Sequence, residues 1–539
     1  MEIHGVCRTL KDVRPQAVSH LARSMPELLH GRYELPNPFG QRLGSLRSIR
    51  LLCLLLPLAL LGKSKSPNFV VVLADDHAFE AISCYGTYLK NHAETPNIDR
   101  LAKEGMRFDE FVCANSICSP SRATILTGQY SHLNGVTGLN GSINEDSPQY
   151  PEQLLEAGYE TFLVGKWHLK SPPKGYLKHM TVKGQGKYFD PTFNGSEGTI
   201  NKKGYSSDVY TDLALDWLKN RNRDKPFLLS LQFKSPHHDY GHAKRYDKFL
   251  EGVSVPEPPT LYEEVRESDS KLKNLFLRRT KFHMLYSGAE SKQNGKYDAN
   301  YYTRHLEDPA PNKMGKLQEA TDRERIRVAY QHMIRKYVRC ATGNDDNLKR
   351  VLDFLDRENL KEDTAVIYTS DQGYWLGQHG FYDKRLILET SIRMPFVIRY
   401  PRLIKAGSVS DDLCVNVDLA PTILELAGIN PPDAMQGKSM VPILRGKKPK
   451  KWRESQFYAY WGVPNHFGIR TSRFTYLKVF GDGVGTELYD RKIDPNQKTN
   501  FAQNPSYASE LRLLEKQLSS QIKRVRISAD MLPGGGKNP

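Results

Sequence analysis

The sequence predicts an α/β protein with a mostly parallel central sheet flanked by helices, followed by a smaller C-terminal α+β domain with an antiparallel sheet. Three observations predict it. Short apolar runs, rich in branched and aromatic residues, lead directly into polar residues of a chemical kind. Helical patterns lie between those runs. Beyond residue 448 the chain changes to short aromatic segments of strand character.

Residues 1–66 read as an N-terminal extension with a signal peptide. The apolar run 51–61 follows Arg47 and Arg50 and is too short to span a bilayer comfortably. Its length and basic flank fit a signal-peptide core, although residues 62–67 make a poor small-x-small cleavage site. The long stretch before it fits a misplaced start codon. The expectation is an exported protein, periplasmic or secreted, with no integral membrane span in its mature form.

Residues 67–447 form the expected main domain. The runs 69–73, 161–164, 227–233 and 365–369 read as buried strands. They lead into Asp75-Asp76-His77, Gly165-Lys166-Trp167-His168, Pro236-His237-His238 and Asp371-Gln372-Gly373. Helical patterns at 97–105, 207–220 and 323–359 alternate with them, and this alternation implies a parallel sheet covered on both faces. Ligands bind outside the carboxyl ends of such strands, so four polar strand ends should converge on one site. Segments 170–206 and 240–320 show no clean period and read as long substrate-reading loops. Residues 413–428 read as the last helix of this domain, and 437–451 as a linker.

Residues 448–539 form the expected smaller domain. Segments 456–461, 468–471, 474–480 and 487–490 read as antiparallel strands, 508–526 as a closing amphipathic helix, and 527–539 as a loose tail.

The formal net charge is +16, of which residues 1–66 carry +6 and the remainder +10. A basic body attracts polyanions such as sulfated polysaccharide or nucleic acid. The basic residues are spread rather than striped and no usual nucleic-acid motif is present, so nucleic acid is not an expected partner. Seven cysteines are present: Cys7, Cys53, Cys84, Cys113, Cys118, Cys340 and Cys414. Setting aside the leader and Cys118 leaves four, which fit either two disulfides or buried thiols.

The most specific run is Ser116-Ile-Cys118-Ser-Pro120-Ser-Arg122-Ala-Thr-Ile-Leu-Thr-Gly128, which opens an amphipathic stretch. Pro120 suits the first turn of a helix, and Gly128 suits its end. Cys118 then sits at or just before a helix N-terminus, where free N–H groups favour an anion. Arg122, one turn on, adds a forked positive charge. Asp75, Asp76, Asp371 and Gln372 supply hard oxygen donors, which suit Ca²⁺ or Mg²⁺ rather than Zn²⁺.

This run resembles the maturation signature of type I sulfatases, and Gly158-Tyr-Glu-Thr-Phe-Leu-Val-Gly-Lys166-Trp-His168 resembles their second signature. The likeness covers roughly residues 66–500 and implies an alkaline-phosphatase-like fold. It implies that Cys118 is oxidised to formylglycine by a formylglycine-generating or anaerobic sulfatase-maturing enzyme. The hydrate would attack sulfur, expel the alcohol, then collapse to the aldehyde with release of sulfate. It implies one Ca²⁺ held by Asp75, Asp76, Cys118, Asp371 and Gln372, with Gln372 standing where Asn or His is common. Lys166 and Lys384, the latter in Gln378-His-Gly-Phe-Tyr-Asp-Lys384, would grip the sulfate with the metal. His168 would orient the hydrate, and His237 would be the general acid, with His238 an open alternative.

The implied substrate is a sulfated carbohydrate. Residues 340–442 look like the N-acetylglucosamine-6-sulfatase branch acting on glycosaminoglycans, with iduronate-2-sulfatases and other polysaccharide sulfatases as alternatives. Two other readings compete: a phosphate or phosphonate ester hydrolase of the same superfamily, and a non-catalytic polyanion-binding protein on the same scaffold.

Overall fold

The computed structural model describes residues 66–265, 268–277, 321–449, 451–481 and 485–535. The expected signal-peptide run at 51–61 and most of the 240–320 segment lie outside these residues. Within the described chain, Asn68–Asp75 (β1) is buried at all eight positions. Val70, Val72 and Ala74 enter one apolar cluster, while Phe69, Val71 and Leu73 enter another on the opposite face. A strand that alternates between two cores must lie inside a sheet covered on both sides.

That sheet has ten strands. After β1 come β2 (Met106–Phe108), β3 (Glu160–Lys166), β4 (Lys178–Val182), β5 (Thr192–Gly195) and β6 (Gly198–Asn201). They are followed by β7 (Phe227–Pro236), β8 (Thr364–Ser370), β9 (Phe396–Arg399) and β10 (Ser408–Ser410). The spatial order is β10-β2-β9-β8-β1-β7-β3-β4-β5-β6. The central run β8-β1-β7-β3-β4 is parallel, whereas β9, β5 and β6 introduce antiparallel pairs towards the edges.

Helices cover both faces. The Val70 side takes Ile98 and Leu101 of α1 (Pro96–Glu104), Val209 and Leu218 of α3 (Ser206–Asn220), and Leu348 and Leu352 of α4 (Asp322–Arg357). The Val71 side takes Ile125 and Leu126 of α2 (Cys118–Thr127), and Ile423 and Leu424 of α5 (Leu419–Leu426). The N-terminus of α1 is satisfied from another helix: the Asp345 carboxylate accepts the N–H groups of Asn97 at 3.1 Å and Ile98 at 2.8 Å. At α4 the cap is local, with Thr321 and Glu324 forming a capping box.

A four-stranded antiparallel sheet follows, in consecutive order: β11 (Ser455–Tyr460), β12 (Asn465–Thr471), β13 (Phe474–Phe480) and β14 (Gly485–Asp490). The helix α6 (Ala508–Val525) closes it, burying Leu514 and Leu518. This sheet lies in the same compact unit as the first. It reaches the start of α2 directly: Ala459 N–H donates to Ala114 O at 3.1 Å, and Tyr458 Oη lies 2.7 Å from Ser116 Oγ.

Four expectations need correction. Segment 170–206 is not a structureless loop, since β4, β5 and β6 extend the central sheet there by pairing that shows no apolar alternation. The helix expected over 413–428 occupies only Leu419–Leu426, because Cys414 and Val415 pair instead with Phe111 and Val112. The linker at 437–451 contains a helical turn, Val441–Leu444, whose apolar residues are buried. Part of the supposed tail is packed: Ile527 is buried, and Trp461 Nε1 donates to Met531 O at 2.9 Å. All five described cysteines are thiols. No helix among the described residues is long and apolar enough to cross a membrane.

Gly165, in β3, has φ +110°, and a Cβ there would lie 2.0 Å from Gln232 O of β7. Gly165→Ala therefore forces β3 and β7 apart beside Lys166. The expected outcome is a loss of about 2–3 kcal/mol in urea-unfolding stability.

Candidate active site

The four polar strand ends do converge. Because β1 pairs with β8 in the register Ala74↔Ser370, Asp75 and Asp76 emerge beside Asp371. The carboxylates of Asp75, Asp76 and Asp371 each offer an oxygen within 4.8 Å of the others, and all three residues are fully buried. Asp76 adopts φ +68°. Its N–H donates to Asp371 Oδ1 at 3.1 Å, and its carbonyl accepts from Tyr337 Oη at 2.5 Å. These bonds hold a non-glycine residue in the left-handed region.

Three buried cations meet the three carboxylates. Lys166, ending β3, contacts Asp75 through its ammonium. Arg122 donates from Nε to Asp371 Oδ2 at 3.0 Å, and its Nη2 lies 3.6 Å from Asp75 Oδ1. Lys384 donates to Asp76 Oδ2 at 2.6 Å. The charges balance, yet unevenly. Burial alone would raise Asp75, but Lys166, His237 and Arg122 hold its carboxyl well below the usual range. Burial pushes Asp76 up to about 7, with Asp75 and Asp371 adding to it against Lys384. Asp371 is pushed up to about 6 by burial and by Asp75.

A hard divalent cation fits here. The donors are carboxylate oxygens, and Gln372 donates from Nε2 to Asp76 Oδ1 while its own Oε1 is buried without a partner. An orphaned amide oxygen beside three buried carboxylates is the donor chemistry that Ca²⁺ takes.

Cys118 is the first residue of α2, preceded by extended Ile117, and Gly128 ends the helix at φ +62°. The helix is not amphipathic, since all ten of its residues are buried. Its polar side chains are used internally. Ser119 donates to His168 O at 2.6 Å, Ser121 donates to Asp371 O, and Asn416 donates to Ser121 Oγ at 2.8 Å. Cys118 Sγ lies 3.5 Å from Asp75 Oδ1. The helix terminus and the nearby lysines favour an anion, but burial outweighs them and pushes the thiol above its ordinary range. An unmodified Cys118 is therefore a neutral thiol and a weak nucleophile.

His237 follows β7 and groups with Asp75 and Cys118, their ligand atoms lying within 4.8 Å of one another. Its Nδ1 lies 3.1 Å from His238 O, which leaves Nε2, 3.6 Å from Asp76 Oδ2, to exchange a proton. Burial keeps its pKa below the usual histidine range. The His238 ring lies tilted against that of His237, centroids 4.0 Å apart, and groups with Asp76 rather than with Cys118. His168 has φ +57° and is half-buried, with Nε2 at 3.4 Å from Gln185 Nε2 and Nδ1 buried without a partner. Burial, then Lys166, lowers it to about 3.

Sequence reasoning missed three supporting residues. Gln185 accepts from Lys166 Nζ at 2.5 Å and also meets His168. Gln232 accepts from Arg122 Nη1 at 2.9 Å. Tyr337 braces Asp76 from α4. Gln232 left a signal, a polar residue inside an apolar strand. Gln185 lies between glycines, and Tyr337 is one of many tyrosines, so neither had a local one.

A family model described as Sulfatase matches residues 67–429, and one described as N-sulphoglucosamine sulphohydrolase, C-terminal, matches 377–525. The chain is 36% identical over 517 residues to N-acetylglucosamine-6-O-sulfatase of Bacteroides thetaiotaomicron, covering 88% of this chain and 91% of the relative. A solved structure in complex with its substrate, D-glucosamine-2-N,6-O-disulfate, matches with TM-score 0.76 and 35% identity, covering 86% of this chain and 98% of that one. The phosphonate monoester hydrolase of Silicibacter pomeroyi shares the fold, at TM-score 0.63 and 21% identity over 85% of this chain and 95% of its own.

The raised carboxyls predict a pH signature. Burial pushes Asp76 up to about 7 and Asp371 up to about 6, above the ordinary aspartate range. Without metal, their unfavourable contribution grows as pH rises from about 4 to 7, because the unfolded chain releases those protons first. Ca²⁺ should raise the melting temperature more at pH 7 than at pH 5, as read by thermal melts with and without chelator.

Proposed function

Because the chain belongs to the sulfatase family and is a sulfuric ester hydrolase, we propose that it removes the 6-O-sulfate of glucosamine units in a glycosaminoglycan-type carbohydrate. In this reading a maturation enzyme oxidises Cys118 to formylglycine, and Asp75, Asp76, Asp371 and Gln372 hold one Ca²⁺ beside it. The observation that carries the chemistry is the grouping of Cys118 with Asp75 and His237 inside 4.8 Å, at the start of a buried helix. The substrate class rests on the likeness to an N-acetylglucosamine-6-O-sulfatase and to a structure holding a glucosamine disulfate. The apolar run at 51–61 adds export to the proposal.

When present, the oxidised side chain supplies a hydrated aldehyde in place of the thiol, and Ca²⁺ supplies a fixed double positive charge. The chain's own residues do the rest. Three carboxylates already balance Lys166, Arg122 and Lys384, so a bound divalent cation leaves the pocket positive and ready for a sulfate ester. Lys166 and Lys384 pair with different carboxylates, Asp75 and Asp76, and can turn towards non-bridging sulfate oxygens. Arg122 is less free. Nη1 donates to Lys166 O at 2.8 Å and to Gln232, and Nε to Asp371, so it fixes Asp371 and the start of α2 in place. His237 Nε2 is positioned to protonate the departing sugar oxygen; an incoming sulfate raises its low pKa by adding negative charge.

The test is sulfate release from a panel of defined sulfated sugars by protein matured in cells, with mass spectrometry of the Cys118 peptide. The expected result is an aldehyde at position 118, turnover of 6-O-sulfated glucosamine, and loss of turnover by about a thousandfold or more in Cys118→Ala. Preference for a phosphate ester, or a wholly unmodified thiol in active protein, would overturn the reading.

The proton donor is tested separately. His237→Gln should lower kcat by roughly 10²–10³ on a sugar sulfate, whose alkoxide leaves poorly. The loss should be much smaller on nitrophenyl sulfate, whose leaving group needs no proton. Equal losses on both substrates would remove His237 from that role.

A further inference from the structure

Four lysines are buried among the described residues: Lys166, Lys234, Lys273 and Lys384. Three hold a carboxylate, Lys166 on Asp75, Lys273 on Glu263 at 3.0 Å and Lys384 on Asp76 at 2.6 Å. Lys234 makes no such ion pair with a described residue. It is 3% exposed, and its ammonium lies 4.6 Å from the centroid of the Tyr188 ring. A ring face replaces only part of an ammonium's lost hydration. A buried charge without its counter-charge is strongly unfavourable, and burial, with Lys166 adding to it, pushes Lys234 below the ordinary lysine range.

The location says what the missing counter-charge is for. Lys234 lies in β7, and its carbonyl accepts from His237 N–H at 3.2 Å. Its aromatic partner, Tyr188, donates its phenol to His237 O. The charges acting on Lys234 include those of the pocket, Lys166 against it and Asp75 and Asp76 for it, with exposed Asp239 also in its favour. An ammonium buried beside the pocket, within electrostatic reach of Lys166 and without an ion pair to a described residue, gains its direct partner when an anionic ligand arrives.

We propose that Lys234 is an anion-reading residue of the active site, whose counter-charge is a sulfo group carried by the substrate. The inference rests on the sulfatase reading above and extends it to a residue outside the carboxylate cluster. Two sources share this chemistry: the reacting sulfo group itself, and a second sulfo group on the same sugar.

The experiment uses the full chain in a Cys118→Ala background with Ca²⁺ present, so that ligand binds without turnover. Glucosamine-6-O-sulfate, glucosamine-2-N,6-O-disulfate and inorganic sulfate are titrated by calorimetry into the parent and into Lys234→Met. The expected result is a roughly ten- to hundredfold weaker Kd, the effect of one lost charge-assisted hydrogen bond. Weakening for both sugars identifies the reacting group, and weakening for the disulfate alone identifies a second one. Lys234→Arg should recover part of the affinity.

A thermal melt separates this role from a structural one. Without ligand, Lys234→Met should melt no lower than the parent, because it removes an unmatched buried charge. Lys273→Met, which removes the lysine partner of Glu263 and leaves it only His379, should melt lower. Unchanged affinity for all three ligands overturns the proposal, as does a fall in the unliganded melting temperature matching that of Lys273→Met. If neither sugar binds the parent, the substrate reading fails, and the inorganic sulfate titration still decides Lys234.

Discussion

Three aspartates crowded into the interior, at the ends of two neighbouring strands, impose the main constraint on this protein. Asp75, Asp76 and Asp371 lie close enough to repel one another strongly where water is excluded. They coexist because Lys166, Arg122 and Lys384 meet them from three other parts of the chain. No two of these cations share an element, so the carboxylates are neutralised only when the sheet, α2 and the segment after β8 have all come together. The same requirement explains why α2 is buried on every side. A helix that carries Arg122 into the cluster and Cys118 to its edge cannot keep a solvent face.

The cations match the carboxylates in number, yet burial still pushes Asp76 and Asp371 up. That cost of holding buried carboxylates charged is the physical basis for a cation site. It also accounts for the bracing around Asp76, whose left-handed backbone is pinned by Asp371 on one side and Tyr337 on the other. The second sheet contributes to the same end. Tyr458 and Ala459 hold Ser116 and Ala114, the residues that lead into Cys118. The C-terminal segment is thus part of the scaffold of the site.

Much of this was legible in order along the chain. The four strand ends were visible because each buried strand is apolar on both faces and its end is abruptly polar. Helices α1, α3 and α4 carried long patterns that local reasoning reads well, and their bounds differ from expectation by one or two residues. Strands β4 to β6 were invisible for a definite reason. They lie towards the sheet edge, with little apolar alternation, and are defined by serial pairing, β4 on β3, β5 on β4 and β6 on β5, rather than by their own residues. The shortened α5 has a similar cause: Cys414 and Val415 are drawn into a strand pair by Phe111 and Val112, some three hundred residues earlier.

What the sequence determined by itself is the chemistry: a cysteine at a helix start, paired aspartates at strand ends, and histidines and lysines at fixed places in recognisable runs. These are local facts, set by residue type, spacing and the preferences of one helix or strand end. Only the tertiary structure decided which groups face one another. It set His237 rather than His238 beside Cys118, committed Arg122 to Asp371 and the Lys166 carbonyl, and buried Lys234 against the Tyr188 ring without an ion pair to a described residue. Charge pairing and burial depend on distances through space between remote segments, and no pattern along a single strand or helix encodes them.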